Sequence, residues 1–459
     1  MPNSEFPKIV ILSHHPMSTD SAAGLAIRSF FKGWDQERLT HIFTPTVRWG
    51  HPDFEACKDY RRVKWSGQVI PVAGERSTEQ ASSAIGGSLV KRLAGLRSVQ
   101  KIFLPLRAAW LTRTQYAKGI QDELKKIAPD VVYVMANSLY LAKATCIACE
   151  NLDIPVCVHV VDDIVGESIA GNKKLKRRGI ETEKWFKRLA QFATTHIGIS
   201  PQMAAEYTRR YGGDWSWFTT LTDPGGYDPS PRKAMPKEPV KFVFAGNLSY
   251  NRWREVCNLG VALRQLRGEG ILAELTVYGS PAHFKLYGNE LRAAEVEFQE
   301  WVPVEELGNI FHNADVLVHV ESCHDPEMRQ AIRLSLSTKI SQYMMAGRPI
   351  FAIGPSELAS IQFVRDSNAG VIFDVEKSDD LVGCIRNMIC ERSRLVQLGA
   401  NGRRLAMSVF EGESQRKRFR KIICDTVTGH QQSETKPDRQ AVRKLGATRF
   451  LKIQEKSNG

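Results

Sequence analysis

The feature that most constrains this chain is a pattern of short apolar segments and amphipathic helical stretches that runs through the sequence twice. In the first half KIVILSHH leads to a helix starting near Ser21, DVVYVMAN to a helix through Cys149, PVCVHVVDD to a charged loop, and THIGISPQM to a helix ending near YGG. Turn-forming residues then interrupt the pattern in TDPGGYDPSPRKAMPKEP, Thr222 to Pro239. The alternation restarts with VKFVFAGNLS, ILAELTVYGS, AEVEFQEWV, DVLVHVES, PIFAIG and AGVIFDV, separated by helical stretches such as VEELGNIFHNA. Strands that are apolar along their whole length are covered on both faces, which marks parallel sheets joined by crossover helices.

The expected fold class is α/β, with two Rossmann-like domains whose parallel sheets face each other across a cleft. A chain of 459 residues exceeds one ordinary core, in keeping with two domains. The boundaries expected are a first domain over 1–225, a linker over 226–239 and a second domain over 240–407. A helix over 408–428 is expected to pack back on the first domain, followed by a basic tail over 429–459. Ligands of open parallel sheets bind beyond the carboxyl ends of the strands, so a substrate belongs in the cleft.

One stretch points to a ligand chemistry. In SLSTKISQYMMAGRPIFAIGP, Ser335 to Pro355, Ser337 and Thr338 are good N-cap residues, Gly347 supplies a left-handed stop and Pro349 blocks continuation. A helix from about Lys339 to Ala346 follows. Ile340, Tyr343 and Met344 share the face that packs on a sheet, while Lys339 and Gln342, three apart, share another. Unpaired N–H groups at the helix start, the positive end of the macrodipole and the Lys339 charge converge on one point, which suits a phosphate. A solvated lysine on an ordinary αβ unit gives the same local pattern.

Composition narrows the class. No apolar run is long enough to span a bilayer and KIVILS follows the start without a basic-then-apolar leader, so a cytoplasmic protein is expected. Nine cysteines in apolar surroundings suit free thiols in a reducing compartment, and the lone Cys146–Cys149 pair has no second pair with which to hold a metal. The net charge is +13. No acidic residue occurs from Gln80 through Gln121, where Lys91, Arg92, Arg97, Lys101, Arg107, Arg113 and Lys118 are interleaved with Leu93, Phe103, Leu104, Trp110 and other apolar residues. That composition suits contact with an anionic membrane surface, with a solvated basic face as the alternative. Nucleic acid is not an expected partner, because no zinc finger, helix-turn-helix or RNA-binding fingerprint is present.

The pieces FAGNLSYNRWRE, LTVYGS, FQEWVPVEEL, ADVLVHVES, STKISQYMMAGRPIFAIGP and NAGVIFD, in that order, with VVDD at 160–163, IGISPQM at 197–203 and LTDP at 221–224, resemble the retaining nucleotide-sugar glycosyltransferases of the GT-B fold. This is the large family that includes bacterial lipopolysaccharide and exopolysaccharide transferases, and the resemblance covers roughly residues 8–425. It implies a hexosyltransferase that moves a sugar from a nucleotide-sugar donor to a lipid-linked or glycan acceptor, with no cofactor and no metal. The first domain would bind the acceptor and the second the donor. Charge that develops on the leaving diphosphate would be stabilised by Arg252, by Lys339 and by the helix start at Ser337 and Thr338, with Gly246 permitting close approach of the backbone.

The chain departs from the family at Gln342. The family usually places there a glutamate for the ribose, paired with an upstream glutamate for the donor sugar, whose spacing falls here on Leu334. A glutamine amide oxygen still accepts a ribose hydroxyl, without charge assistance. Glu321, Arg333 and Ser335 are the nearest polar groups for the sugar, and Glu321 has the alternative of pairing with a neighbouring arginine. On the acceptor side, SHHPMSTDSAAG occupies the place of the family's acceptor loop, with Ser21 and Gly24 at the helix start and His14 or His15 as candidate acceptor contacts. Of Asp162 and Asp163, one would orient the acceptor hydroxyl and the other cap the following loop. Two readings compete: a nucleotide-sugar 2-epimerase, which needs carboxylates around the sugar, and a non-catalytic sugar-nucleotide-binding relative.

Overall fold

The computed structural model describes residues 6–434 apart from position 20 and positions 45–49, 65, 73–113, 167–172, 229–233, 235–238 and 322. The basic stretch carrying Arg92, Arg97, Lys101 and Arg107 therefore lies outside the described residues, as does the tail from 435 onward.

The first sheet contains β1 (Ile9–Ser13), β2 (Leu39–Phe43), β3 (Asp59–Val63), β4 (Val69–Pro71), β5 (Val131–Met135), β6 (Val156–Val160), β7 (Thr195–Gly198) and β8 (Trp215–Trp217), in the spatial order 4-3-2-1-5-6-7-8. All neighbours are parallel except β3 with β4. The four central strands β2, β1, β5 and β6 are buried at every position, including the polar Ser13, Thr40, His41 and His159 among their apolar residues, whereas DYRRV in β3 is only partly buried near the edge. Alternate residues go to opposite faces. Val10, Leu12, Val132 and Val134 pack with α2 (Thr114–Ile127), α3 (Leu139–Cys149), α4 (Lys173–Phe192) and α5 (Pro201–Tyr211). Ile9, Ile11, Val131 and Tyr133 pack on the other side with α1 (Ala22–Phe31).

The second sheet is wholly parallel, with β9 (Val240–Ala245), β10 (Ala273–Gly279), β11 (Glu297–Glu300), β12 (Val316–Val320), β13 (Ile350–Ile353) and β14 (Gly370–Phe373) in the order 11-10-9-12-13-14. One face packs with α6 (Arg252–Gly268) and α7 (Pro281–Ala293), then with α12 (Leu381–Cys390) and α13 (Arg392–Val409). The other packs with α8 (Val304–Asn313), α10 (Thr338–Met345) and α11 (Ala359–Asp366); the short α9 (Pro326–Ile332) lies between β12 and α10. Helix α10 occupies the expected place to within a residue at each end, and Gly347 stops it with φ of +66°.

The last helix, α14 (Gly412–Glu434), belongs to the first domain. Phe419 and Ile423 enter the same core as Phe30, Phe31 and Tyr133. The two passages between domains run side by side: Thr222 N–H donates to Phe410 O at 2.9 Å and Gly412 N–H to Thr222 O at 3.1 Å. Asp223 then pairs with Lys32 of α1 and Arg416 of α14, which ties the outgoing chain to both helices.

Candidate functional site

Strand order reverses between β9 and β12 in the second sheet, and the crevice at such a switch point is where open parallel sheets hold ligands. Gly246 ends β9 there, with φ of +150°, and a Cβ on it would stand 2.1 Å from Lys339 Cε and 2.3 Å from Nζ. Only a residue without a side chain lets the Lys339 stem lie across the backbone at this point. Tyr343 anchors the arrangement from below, because its hydroxyl accepts a 3.1 Å hydrogen bond from Ala245 N–H. Lys339 Nζ sits 5.0 Å from the centre of the Phe244 ring, and no carboxylate among the described residues lies within ion-pair distance of it. Burial, reinforced by the nearby Arg252 and opposed by Glu321, lowers the ammonium pKa to about 7. Ser337 occupies the cap position of α10 without a side-chain cap bond, its own N–H being held by Ser360 Oγ at 3.1 Å. Ile340 N–H donates to Ser337 O at 3.1 Å, and the N–H groups of Thr338 and Lys339 before it are left to another acceptor.

Arg252, the first residue of α6, reaches the same crevice from the other side and donates through Nη2 to Glu321 Oε2 at 3.0 Å. Glu321 accepts from His319 Nε2 through its other oxygen, also at 3.0 Å. Burial alone would raise the Glu321 pKa, but His319 and Arg252 outweigh it and hold the carboxyl well below the usual carboxylate range. Glu321 is therefore occupied by its protein neighbours, the alternative left open by the sequence. His319 was not among the expected site residues. Its spacing of two from Glu321 in a strand puts both side chains on one face, which is the signal that finds it. Gln342 is half-buried on α10 beyond Lys339.

Leu334 has a different task from the acid whose place it takes. It is 3% exposed within the first domain's core, and its carbonyl accepts from Ser200 Oγ at 2.7 Å. Its neighbours reinforce the crossing. Ser335 Oγ donates to Val161 O at 3.2 Å and lies 3.1 Å from Asp162 Oδ1, while Arg333 is 3.5 Å from Glu206. These contacts bring the carboxyl end of β6 against the approach to α10. Asp162 keeps exposed surface there, but its carboxyl is crowded by the crossing, and the desolvation raises its pKa against the lowering effect of the Ser335 hydrogen bond.

Of the two acids Asp163 is the one that caps the following loop, which takes it out of the catalytic place open to either. It is fully buried, paired with Arg210 at 3.1 Å, bonded by Tyr207 Oη at 3.0 Å, and caps Gly166 N–H at 3.1 Å. These three partners make it a structural carboxylate of the first domain. The first sheet has its own switch point between β1 and β5, and His14 spans it with Nδ1 2.5 Å from Thr44 Oγ1 and Nε2 2.6 Å from Ser138 Oγ. His15 follows on the same loop, half-buried, its carbonyl accepting from Ser13 Oγ at 2.5 Å. Ser21 caps α1 by accepting from Gly24 N–H at 3.1 Å. Gly24 is required by close packing, since a Cβ there would come within 2.7 Å of Pro16 O. Among the described residues no three His, Cys, Asp or Glu side chains converge to hold a metal ion, and no helix is long and apolar enough to cross a membrane.

Comparison with known proteins bears on this geometry. No protein-family model and no curated protein matches the sequence. Solved structures do match. Sucrose-phosphate synthase from Thermosynechococcus elongatus superposes with a TM-score of 0.62 over 92% of this chain and 100% of its own, at 13% identity. Anabaena HepE in complex with UDP gives 0.59 over 92% and 100%, also at 13% identity. WaaG, a glycosyltransferase involved in lipopolysaccharide biosynthesis, gives 0.54 over 90% and 99% at 13% identity. The fold is GT-B. The GT-B cleft of this chain brings together Gly246, Arg252, Glu321, Ser337, Thr338 and Lys339 on one side and sets Asp162 against Ser335 from the other. It leaves Asp163 in the first-domain core.

Proposed function

We propose that this protein is a glycosyltransferase that moves a sugar from a nucleotide-sugar donor to a lipid-linked or polysaccharide acceptor. One observation carries the reading: Lys339 lies across Gly246 at the start of α10 with no carboxylate partner among the described residues, so the crevice offers a half-buried cation and the N–H groups of Thr338 and Lys339 to an anion of matching size. A nucleoside diphosphate meets that requirement. HepE is seen with UDP and with UDP-glucose, which supports the same ligand class here. Lys339, Arg252 and the N–H groups following Ser337 stabilise the leaving diphosphate without a metal, and Gln342 accepts a hydrogen bond from the ribose. Asp162 is the acid that reaches the cleft from the acceptor side and orients the attacking hydroxyl. No side chain is assigned as a covalent nucleophile; attack on the face the diphosphate leaves gives retention. The acceptor meets the loop from His14 through Gly24 at the first switch point, and the enzyme works at an anionic membrane face in cell-surface polysaccharide synthesis.

The test is incubation with radiolabelled UDP-, GDP-, ADP- and dTDP-sugars and a membrane extract. Label transferred to the lipid or glycan fraction, and lost in Asp162→Asn, is the expected result. Interconversion of the nucleotide sugars without transfer would instead identify an epimerase, and binding without either reaction a non-catalytic relative.

A further inference from the structure

A single buried carboxylate serves two basic groups at the end of β12. Glu321 gives one oxygen to Arg252 Nη2 and the other to His319 Nε2, each at 3.0 Å, and the side chain is 5% exposed. The Arg252 fork is only partly used, since its Nε is buried without a partner. The His319 ring is likewise committed at Nε2 alone, with Nδ1 buried and without a partner. Arg252 therefore holds donors in reserve, and His319 holds a site that a proton can fill.

A diphosphate drawn in by Lys339 and α10 competes with Glu321 for the guanidinium. If Arg252 leaves, Glu321 becomes a buried carboxylate facing a neutral imidazole, which is a costly arrangement. Protonation of that imidazole restores an ion pair of the charge-assisted kind. We propose that His319 is a positioning residue that lets Arg252 change partners: Glu321 holds Arg252 until nucleotide arrives, and on diphosphate binding Arg252 turns to the phosphate oxygens while His319 takes up a proton from solvent and keeps Glu321. This inference rests on the nucleotide-sugar reading of the cleft.

The charged groups around His319 make the direction of the coupling plain. Glu321 on its own strand favours the imidazolium, whereas Arg252 from α6 and Lys339 from α10 oppose it. Tyr343 of α10 is spent on Ala245. With Arg252 on Glu321, burial keeps the ring neutral, lowering its pKa against the pull of Glu321. A bound diphosphate offsets both opposing cations and leaves Glu321 to act. Binding then consumes a proton, and affinity falls as pH rises through the neutral range.

Titration calorimetry of the full chain tests this, using whichever of UDP-, GDP-, ADP- and dTDP-glucose binds, since their diphosphate diesters do not titrate near neutrality. Run in buffers of low and high ionisation enthalpy, the wild type should show net proton uptake. His319→Gln keeps an amide donor for Glu321 but takes no proton, so it should lose the His319 share of that uptake, flatten the pH profile of binding and bind roughly tenfold more weakly at low pH. Lys339→Met separates the other titrating cation: uptake unchanged in His319→Gln but abolished in Lys339→Met would overturn the proposal. A readout that needs no variant is the nitrogen spectrum of labelled histidine, in which one buried ring among the 11 should move to the imidazolium position when nucleotide sugar is added at neutral pH; no such movement would also overturn it. Heat independent of the buffer would remove the switch and leave the nucleotide-sugar reading intact, whereas failure of every nucleotide sugar to bind would remove both.

Discussion

Leu334 of the second domain is hydrogen-bonded through its carbonyl to Ser200 of the first at 2.7 Å, and its side chain lies in the first domain's core. The position that the family resemblance reserves for a sugar-binding acid is here an apolar peg between domains. Leu334→Ala should lower stability by about 2–4 kcal/mol, as removal of a buried leucine does elsewhere. Leu334→Glu should destabilise further and recover no donor affinity, because the new charge would be buried away from the crevice. Denaturant unfolding with nucleotide titration separates the outcomes; tighter binding in Leu334→Glu would contradict the placement.

Lys339→Ala or Arg252→Ala should each weaken nucleotide binding by about 1.5–3 kcal/mol, the range for hydrogen bonds to charged groups. The two losses should be similar, since the cations reach the crevice from α10 and α6 on opposite sides. Unchanged affinity in both would dissociate the anion site from these residues.

The lowered pKa of Lys339 has a stability signature with a definite sign. Between about 7 in the folded protein and its ordinary value of 10.5, the unfolded chain carries a proton on this residue that the folded one lacks. The stability deficit is thus complete below pH 7 and disappears as pH rises toward 10.5. Lys339→Met should unfold at higher denaturant concentration than the wild type at neutral and lower pH, with the gap closing above neutrality, while binding nucleotide more weakly.

Gln342→Glu should preserve or tighten nucleotide binding, whereas Gln342→Leu should weaken it, because both polar residues accept from a ribose hydroxyl and only one carries charge. Competition between nucleoside diphosphates and their 2′,3′-dideoxy analogues is the direct check: the preference for ribose should shrink in Gln342→Leu.

Strands β1, β5, β6 and β7 and all six of the second sheet are legible as largely apolar or alternating runs, and α10 by its stop and apolar face, whereas β2, whose LTHIF carries Thr40 and His41, and the edge strands β3, β4 and β8 lack that signal. What escaped are relations set by distant partners. VVDD presents two equivalent acids, and only Arg210, 47 positions later, and Tyr207 decide that Asp163 turns inward. Likewise the pairing of Glu321 with Arg252 spans 69 positions, so the local pattern leaves a sugar contact and an ion pair equally open. Leu334 counts correctly along the chain but is seated by Ser200, 134 positions earlier.

The paired passages at Thr222 and Gly412 make the second domain an insertion in the first, with a consequence for biosynthesis. On the ribosome the stretch from β9 through α13 emerges as one continuous unit and has all its own strands before the chain is finished. The first domain, begun earlier, waits for Phe419 and Ile423 to close the hydrophobic surface beside Phe30, Phe31 and Tyr133. Nascent chains stalled before α14 should therefore hold a protease-resistant second domain beside a first domain still exposed to chaperones, the reverse of the usual amino-terminal-first order.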